Sequence, residues 1–295
     1  MPTRAHRFHL TPAPDAPIRS PGLATTLGTL ATRALFDELA LYPKPGLVSL
    51  RDAGAHRDMD GSTFVRSLFA LRRYFFHIAL AGARGAKFEE LRQLGMRAER
   101  AMLEATGGIN THRGAIFSMG LLVAGGACTL TLKLRPSDAM LRETLAKLWQ
   151  DDLRATPPAA AQTSHGAMAA ERYGAGGARC EAGAGFPSVF EIALPALRAS
   201  LARFGDIRRA RLCALFALLE CVADTNLLYR AGREGLHFVQ ASAREYRRCG
   251  GVAADHDLQR ARRLHVAFVE RGLSPGGCAD LLAAALFVHA LQHRA

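Results

Sequence analysis

Apolar residues recur at three- and four-residue steps along most of the chain, and no stretch alternates apolar and polar positions long enough to make a strand. In "LATTLGTLATRALFDELALY" the pattern runs until just before Pro43, as expected because a proline disfavours helix in the residue ahead of it. "STFVRSLFALRRYFFHIALAG", "KFEELRQLGMRAERAMLEA", "HRGAIFSMGLLVAGG" and "SDAMLRETLAKLWQ" read as further helices, with Ser62 and Ser137 as N-caps. The second half continues with "PSVFEIALPALRASLARF", "DIRRARLCALFALLECVADTNLLYR", "EGLHFVQASAREYRRC" and "DHDLQRARRLHVAFVERG". It closes with "SPGGCADLLAAALFVHALQ", where Ser274 reads as N-cap and Pro275 as the first helical residue. There is no repeat of fixed period and no long heptad run. The pattern predicts an all-α fold: a single multi-helix bundle with functional loops at helix ends.

Residues 1–21 are proline-rich with little hydrophobic periodicity and read as a flexible arm, leaving 22–295 as a single catalytic domain. The Gly/Ala/Pro-rich segment 154–187 breaks the helical pattern. It carries His165, Arg172, Tyr173, Arg179 and Glu181, so it reads as a functional loop rather than a spacer.

The formal net charge of +12 points to polyanionic partners: nucleotides, nucleic acid or an acidic membrane surface. The six cysteines form no CxxC pair and no zinc spacing, which argues against a disulfide scaffold or a zinc ribbon. The N-terminus has no apolar signal region, and the apolar runs read as too short to span a bilayer. A soluble, cytoplasmic protein with reduced thiols follows as the expectation, without membrane association.

Four polar loop clusters sit at the ends of apolar helices, the last of them "LSPGGCADLL". In "ATGGINTHRG", Gly107 and Gly108 could let backbone N–H groups approach an anion, with Asn110, Thr111 and Arg113 beside a helix N-terminus. A Schellman-type helix stop explains the two glycines equally well. In "PKPGLVSLRDAGAHRDMD", Lys44, Asp52, His56, Asp58 and Asp60 offer hard oxygen ligands suited to Mg²⁺ with a phosphate, or else a solvated loop of local ion pairs. "DTNLLYRAG" places Asp224, Asn226 and Arg230 at a helix end, which an ion pair would also explain. His77, His237 and His289 lie in apolar helices and read as core residues.

Taken together, "ALYPKPGLVS", "DAGAHRDM", "GGINTHRGAIF", "HG" with "YGAGGARCEAGAGFP", "DTNLLYRAG" and "SPGGCADLLA" resemble the triphosphoribosyl-dephospho-CoA synthase family. The pieces occur in the family's order from about residue 38 to 285. The resemblance implies transfer of the triphosphoribosyl group of ATP to the 2′-hydroxyl of 3′-dephospho-CoA, with release of adenine. The product would be the prosthetic-group precursor of an acyl carrier protein, passed on to the enzyme that loads it. The expected system is malonate decarboxylase, with citrate lyase as the alternative. Such a transfer passes through an oxocarbenium-like sugar and needs a base, an acid and a grip on the triphosphate.

On that resemblance Asp58 is the expected base or cation stabiliser, with Asp52 and Asp224 competing for that role or for Mg²⁺. His56 or His165 is expected to protonate adenine. Lys44, His112, Arg113 and Arg179 are expected to grip phosphates, with Gly107, Gly108, Asn110, Thr111, Glu181, Asn226, Arg230 and Ser274 lining the binding site. Cys180 stands where the family's "GARGEA" pattern has glycine, and Arg113 where lysine also occurs. A basic helical nucleic-acid-binding protein is the reading from another class, but no helix-turn-helix or aromatic-basic module is apparent and no nucleic acid is expected. A nucleotide N-glycosidase, with water as acceptor, is a third. Apolar helix faces leave a homo-oligomer possible.

Overall fold

The computed structural model describes residues 21–155, 165–253 and 255–294. Among them there is no strand. The first five helices are α1 (Pro21–Leu39), α2 (Gly61–Ala83), α3 (Phe88–Thr106), α4 (Arg113–Thr131) and α5 (Asp138–Arg154). After residues outside the description come α6 (His165–Tyr173), α7 (Gly177–Gly183) and a π-helical turn (Ser188–Ala193) that runs into α8 (Leu194–Phe204). Helices α9 (Ile207–Cys221), α10 (Thr225–Arg248), α11 (Asp255–Glu270) and α12 (Gly276–Arg294) complete the fold. The predicted flexible arm lies outside the described residues but for Pro21, which opens α1.

α4 is the centre. It packs against α1, α2, α3, α5 and α12, and Ala115, Met119, Val123, Ala124 and Ala127 are wholly buried along it. This one helix is, against expectation, long and apolar enough to cross a membrane, yet most of it is buried. A helix apolar on every face suits a bundle's central position, because every side meets another helix. One contiguous apolar core runs from Ala24 to Leu291. Each fully buried Leu or Phe in it is worth roughly 1.5–3 kcal/mol over an exposed one. Trp149 on α5 is buried with its indole N–H donated to the Ala86 carbonyl at 2.9 Å, so its one polar atom is satisfied.

Several expected boundaries move, through side-chain caps and through tertiary packing. The N-cap of α2 is Asp60, which accepts from the Thr63 N–H and hydroxyl and from the Ser62 hydroxyl. Ser62 lies inside the helix. Those donors lower the Asp60 carboxyl to about 2. Ser137 caps α5 as predicted. The stretch read as one helix through "LLECVADTNLLYR" is two, bent by 60°, because Asp224 starts a new N-terminus there. The segment 154–187 is not one loop: α6 and α7 fold within it and pack on α10 and α5. Cys180 lies inside helical α7, where no left-handed glycine is needed.

Candidate active site at the helix ends

The N-termini of α2, α4, α10 and α12 face one another at one end of the bundle, tied together by contacts between residues far apart in sequence. His56 Nε2 lies 2.9 Å from Ser274 Oγ. His265 on α11 reaches the Lys44 carbonyl with Nδ1 at 2.7 Å and Asp52 Oδ1 with Nε2 at 3.2 Å. Asp224 Oδ2 accepts the Cys278 N–H at 2.8 Å. Four helix dipoles thus present their positive ends to one region, a setting that favours anions.

At its floor lies a buried ion pair. Lys44, 1% exposed, places Nζ 2.5 Å from Glu38 Oε1 at the end of α1. Burial lowers the lysine and raises the glutamate, while their mutual attraction opposes both shifts. Glu38 also acts on Asp280 of α12, as does Asp224, and burial together with these two carboxylates pushes Asp280 well above the usual carboxylate range. Asp280 lies against the first turn of α4: a Cβ on Gly114 would stand 2.0 Å from its Oδ2. The Ala115 N–H bonds the same carboxyl and opposes the upward shift. Glycine at 114 is therefore what lets Asp280 reach the end of α4.

Asp224 has a structural task. Its Oδ1 accepts the Asn226 and Leu227 N–H groups of α10 at 2.8 and 3.3 Å, while Oδ2 caps α12 through Cys278. With three backbone donors on its two oxygens and 1% exposure, this carboxylate joins two helix ends; it is not placed as the ligand of a hydrated ion. The Asn226 amide sits over the start of α12, 2.7 Å from where a Gly276 Cβ would be. Ser274, expected to cap α12, directs its hydroxyl to His56 instead.

The loop before α4 resolves the two readings of its glycines. Gly107 takes the left-handed conformation at the end of α3, and both Gly107 and Gly108 donate their N–H groups to the Leu103 carbonyl. They stop a helix and leave no N–H for an anion, as in a Schellman motif. Asn110 Oδ1 accepts the Arg113 N–H at 3.1 Å. Three consecutive residues then behave differently: Thr111 Oγ1, His112 Nε2 and Arg113 Nε are buried and have no hydrogen-bond partner. His112 shares a hydrogen bond with Ser67 through Nδ1 at 2.7 Å, with Phe64 edge-on at 4.9 Å. Burial, then the nearby Lys44 charge, lowers it to about 3, so its imidazole is neutral. The Arg113 guanidinium turns to Glu99 on α3 and clamps α3 to α4.

A second arm of the site lies above. Asp58 Oδ1 is 3.6 Å from His56 Nδ1 and the Asp58 side chain is 63% exposed. Arg230 donates to the Ala55 carbonyl at 2.9 Å and lies 3.4 Å from the His56 ring nitrogens. Burial, then the Arg230 charge, lowers His56 below its ordinary value. Held neutral, His56 has a free ring nitrogen to accept a proton, although burial and Arg230 make it a weaker base than a free imidazole; it carries no imidazolium proton to give, which runs against its expected task as the acid.

Arg179 and Glu181 are outside this gathering. Arg179 donates to the Asp152 and Ala155 carbonyls at the end of α5 and lies over the Phe88 ring. Glu181 accepts the Ser188 N–H and hydroxyl at 2.7 and 2.9 Å and so caps the π-helical turn. Both side chains close helix ends away from the gathered N-termini. His165 opens α6, but its side chain lies outside the described residues. Glu38 and Asp280 were overlooked. Glu38 had a signal, being a charge in phase with the buried face of α1 at Ala31, Ala34 and Leu35. Asp280 had none, because a lone acid just past the first turn of a helix is ordinary.

The fold and site define a class: an all-α protein whose helix N-termini and basic groups surround buried carboxylates, suited to phosphorylated substrates. Residues 24–295 match the family described as ATP:dephospho-CoA triphosphoribosyl transferase, and the chain belongs to it. A protein of Azotobacter vinelandii is 42% identical over 283 residues, 94% of this chain and 95% of that one. One from Pseudomonas fluorescens is 42% identical over 278 residues (92% and 94%), and one from Acinetobacter calcoaceticus 36% over 274 (92% of each). All three are named probable 2-(5″-triphosphoribosyl)-3′-dephosphocoenzyme-A synthase. No solved structure matches the chain.

Proposed function

We propose that this protein is a triphosphoribosyl-dephospho-CoA synthase, moving the triphosphoribosyl group of ATP onto the 2′-hydroxyl of 3′-dephospho-CoA and releasing adenine. The observation that carries this reading is the run of unpartnered buried polar atoms on Thr111, His112 and Arg113 at the end of α4. Native structures rarely leave such groups unsatisfied, and a cluster of them at a helix N-terminus suits an anionic ligand. An open groove of about 610 Å³ adjoins the site, lined by Ser49, Arg51, Asp52, Asp60, Ser62 and Arg66 among others. Two guanidinium groups beside two carboxylates suit a triphosphate that carries its own Mg²⁺. Among the described residues no group of three or more His, Cys, Asp or Glu could hold a metal. In this reading Mg²⁺ comes with the nucleotide as part of the substrate.

In this reading the neutral His56 takes the proton of the acceptor hydroxyl, with Ser274 at its Nε2, and Asp58 beside Nδ1 stabilises the imidazolium that forms. The buried carboxylates balance the positive charge that grows on the ribose. The product serves malonate decarboxylase in the cytoplasm, where reduced thiols persist. The test is to incubate the protein with ATP, Mg²⁺ and dephospho-CoA and follow adenine, omitting each component in turn. Adenine release that requires both nucleotides is expected. Release without dephospho-CoA would identify a nucleotide N-glycosidase, and none at all would end the proposal. Transfer of the product onto the acyl carrier protein of malonate decarboxylase, compared with that of citrate lyase, separates the two systems.

A further inference from the structure

Resting on that reading, we infer that Asp280 is the acid that protonates the departing adenine. Its carboxyl lies at the N-terminus of α4, where Gly114 leaves it room, at the same helix end that carries the unpartnered atoms of Thr111, His112 and Arg113. The groups that act on it come from every side: Glu38 of α1, paired with Lys44; Asp224 at the N-cap of α10; the Cys278 thiol two residues earlier on α12; and the Ala115 N–H of α4. Two further carboxyl groups acting on Asp280, those of Glu38 and Asp224, favour retention of a proton there, as in other carboxyl groups that share a site. Neutral His56 and His112 cannot fill this place as cationic acids.

In the step, the C1″–N9 bond breaks and its electron pair stays with the purine. The Asp280 proton passes to purine N7, the 2′-oxygen bonds C1″, and its proton goes to His56. Nothing is oxidised or reduced, and the Asp280 carboxylate left behind faces the cationic sugar as that charge peaks. Proton exchange with solvent resets both groups.

The test compares ATP with 7-deaza-ATP, which has no N7 acceptor, in the wild type and in D280N, with folding checked by circular dichroism. The wild type is expected to turn over 7-deaza-ATP at least about 10²-fold more slowly than ATP. D280N is expected to lose about 10²- to 10⁴-fold in kcat with ATP, to lose the alkaline limb of the pH profile, and to show no further loss with 7-deaza-ATP. G114A, whose added methyl displaces the carboxyl, is expected to lose the same discrimination between the two nucleotides. If D280N keeps the alkaline limb, or slows 7-deaza-ATP as much as ATP, Asp280 is not the acid. A wild type indifferent to N7 also overturns the inference, even if neither variant folds. Wild type that releases no adenine from ATP overturns the proposed function and the inference together.

Discussion

His112 combines full burial, one hydrogen bond and a neighbouring cation, and its titration follows from them. Above pH ~6.5 folded and unfolded chains both hold it neutral. As pH falls from there towards about 3 the unfolded chain takes up a proton that the folded one refuses, so stability declines in that window. The expected slope is about 1.4 kcal/mol per pH unit, on the order of 4–5 kcal/mol over the whole range. Urea denaturation of the wild type and of H112Q between pH 7.5 and 4.5 checks this, the variant being expected to show the shallower slope. Equal slopes would mean His112 titrates normally. His56 and Asp58 form a graded pair, because one is partly buried and bonded to Ser274 while the other is mostly exposed. H56A is expected to lose about 10²- to 10³-fold in kcat, and D58N about 10-fold, since a positioned proton acceptor matters more than a screened neighbour. A larger loss in D58N than in H56A would make Asp58 the base.

Among the elements, the α10–α12 junction depends on one side chain. Asp224 caps both N-termini, and the caps are worth roughly 0.5–2 kcal/mol each. D224A is expected to cost about 1–4 kcal/mol, with amide exchange speeding at residues 226–228 and 278 together. Exchange that speeds in α10 alone would refute the shared cap. The predicted Ser274 cap failed for the same reason: a side chain from another helix already satisfies the first turn of α12, so the serine hydroxyl is free to face His56. Gly107 and Gly108 show the reverse, since the local Schellman stop for α3 sufficed without any ligand.

For the whole molecule, a charge of +12 and four helix N-termini at one end should draw both nucleotides by long-range attraction. Raising KCl from 0.05 to about 0.5 M should raise KM for ATP and for dephospho-CoA several-fold while kcat changes little, because screening acts on encounter more than on the closed site. Steady-state kinetics at a series of salt concentrations test it, and a kcat that falls in step with KM would place the salt effect in the chemical step instead.

Helical periodicity is a local property, so the all-α class, most helices and the loops that carry the site could all be read from the chain, as could the family to which it belongs. The boundaries at Asp60 and Asp224 and the helices within 154–187 were less legible, since competing caps and tertiary packing decide them. Only the folded arrangement singled out Asp280 and placed Arg179 and Glu181 at other helix ends. A carboxyl's chemistry depends on burial and on which other charges it meets, and those neighbours lie up to some 240 residues away in the chain.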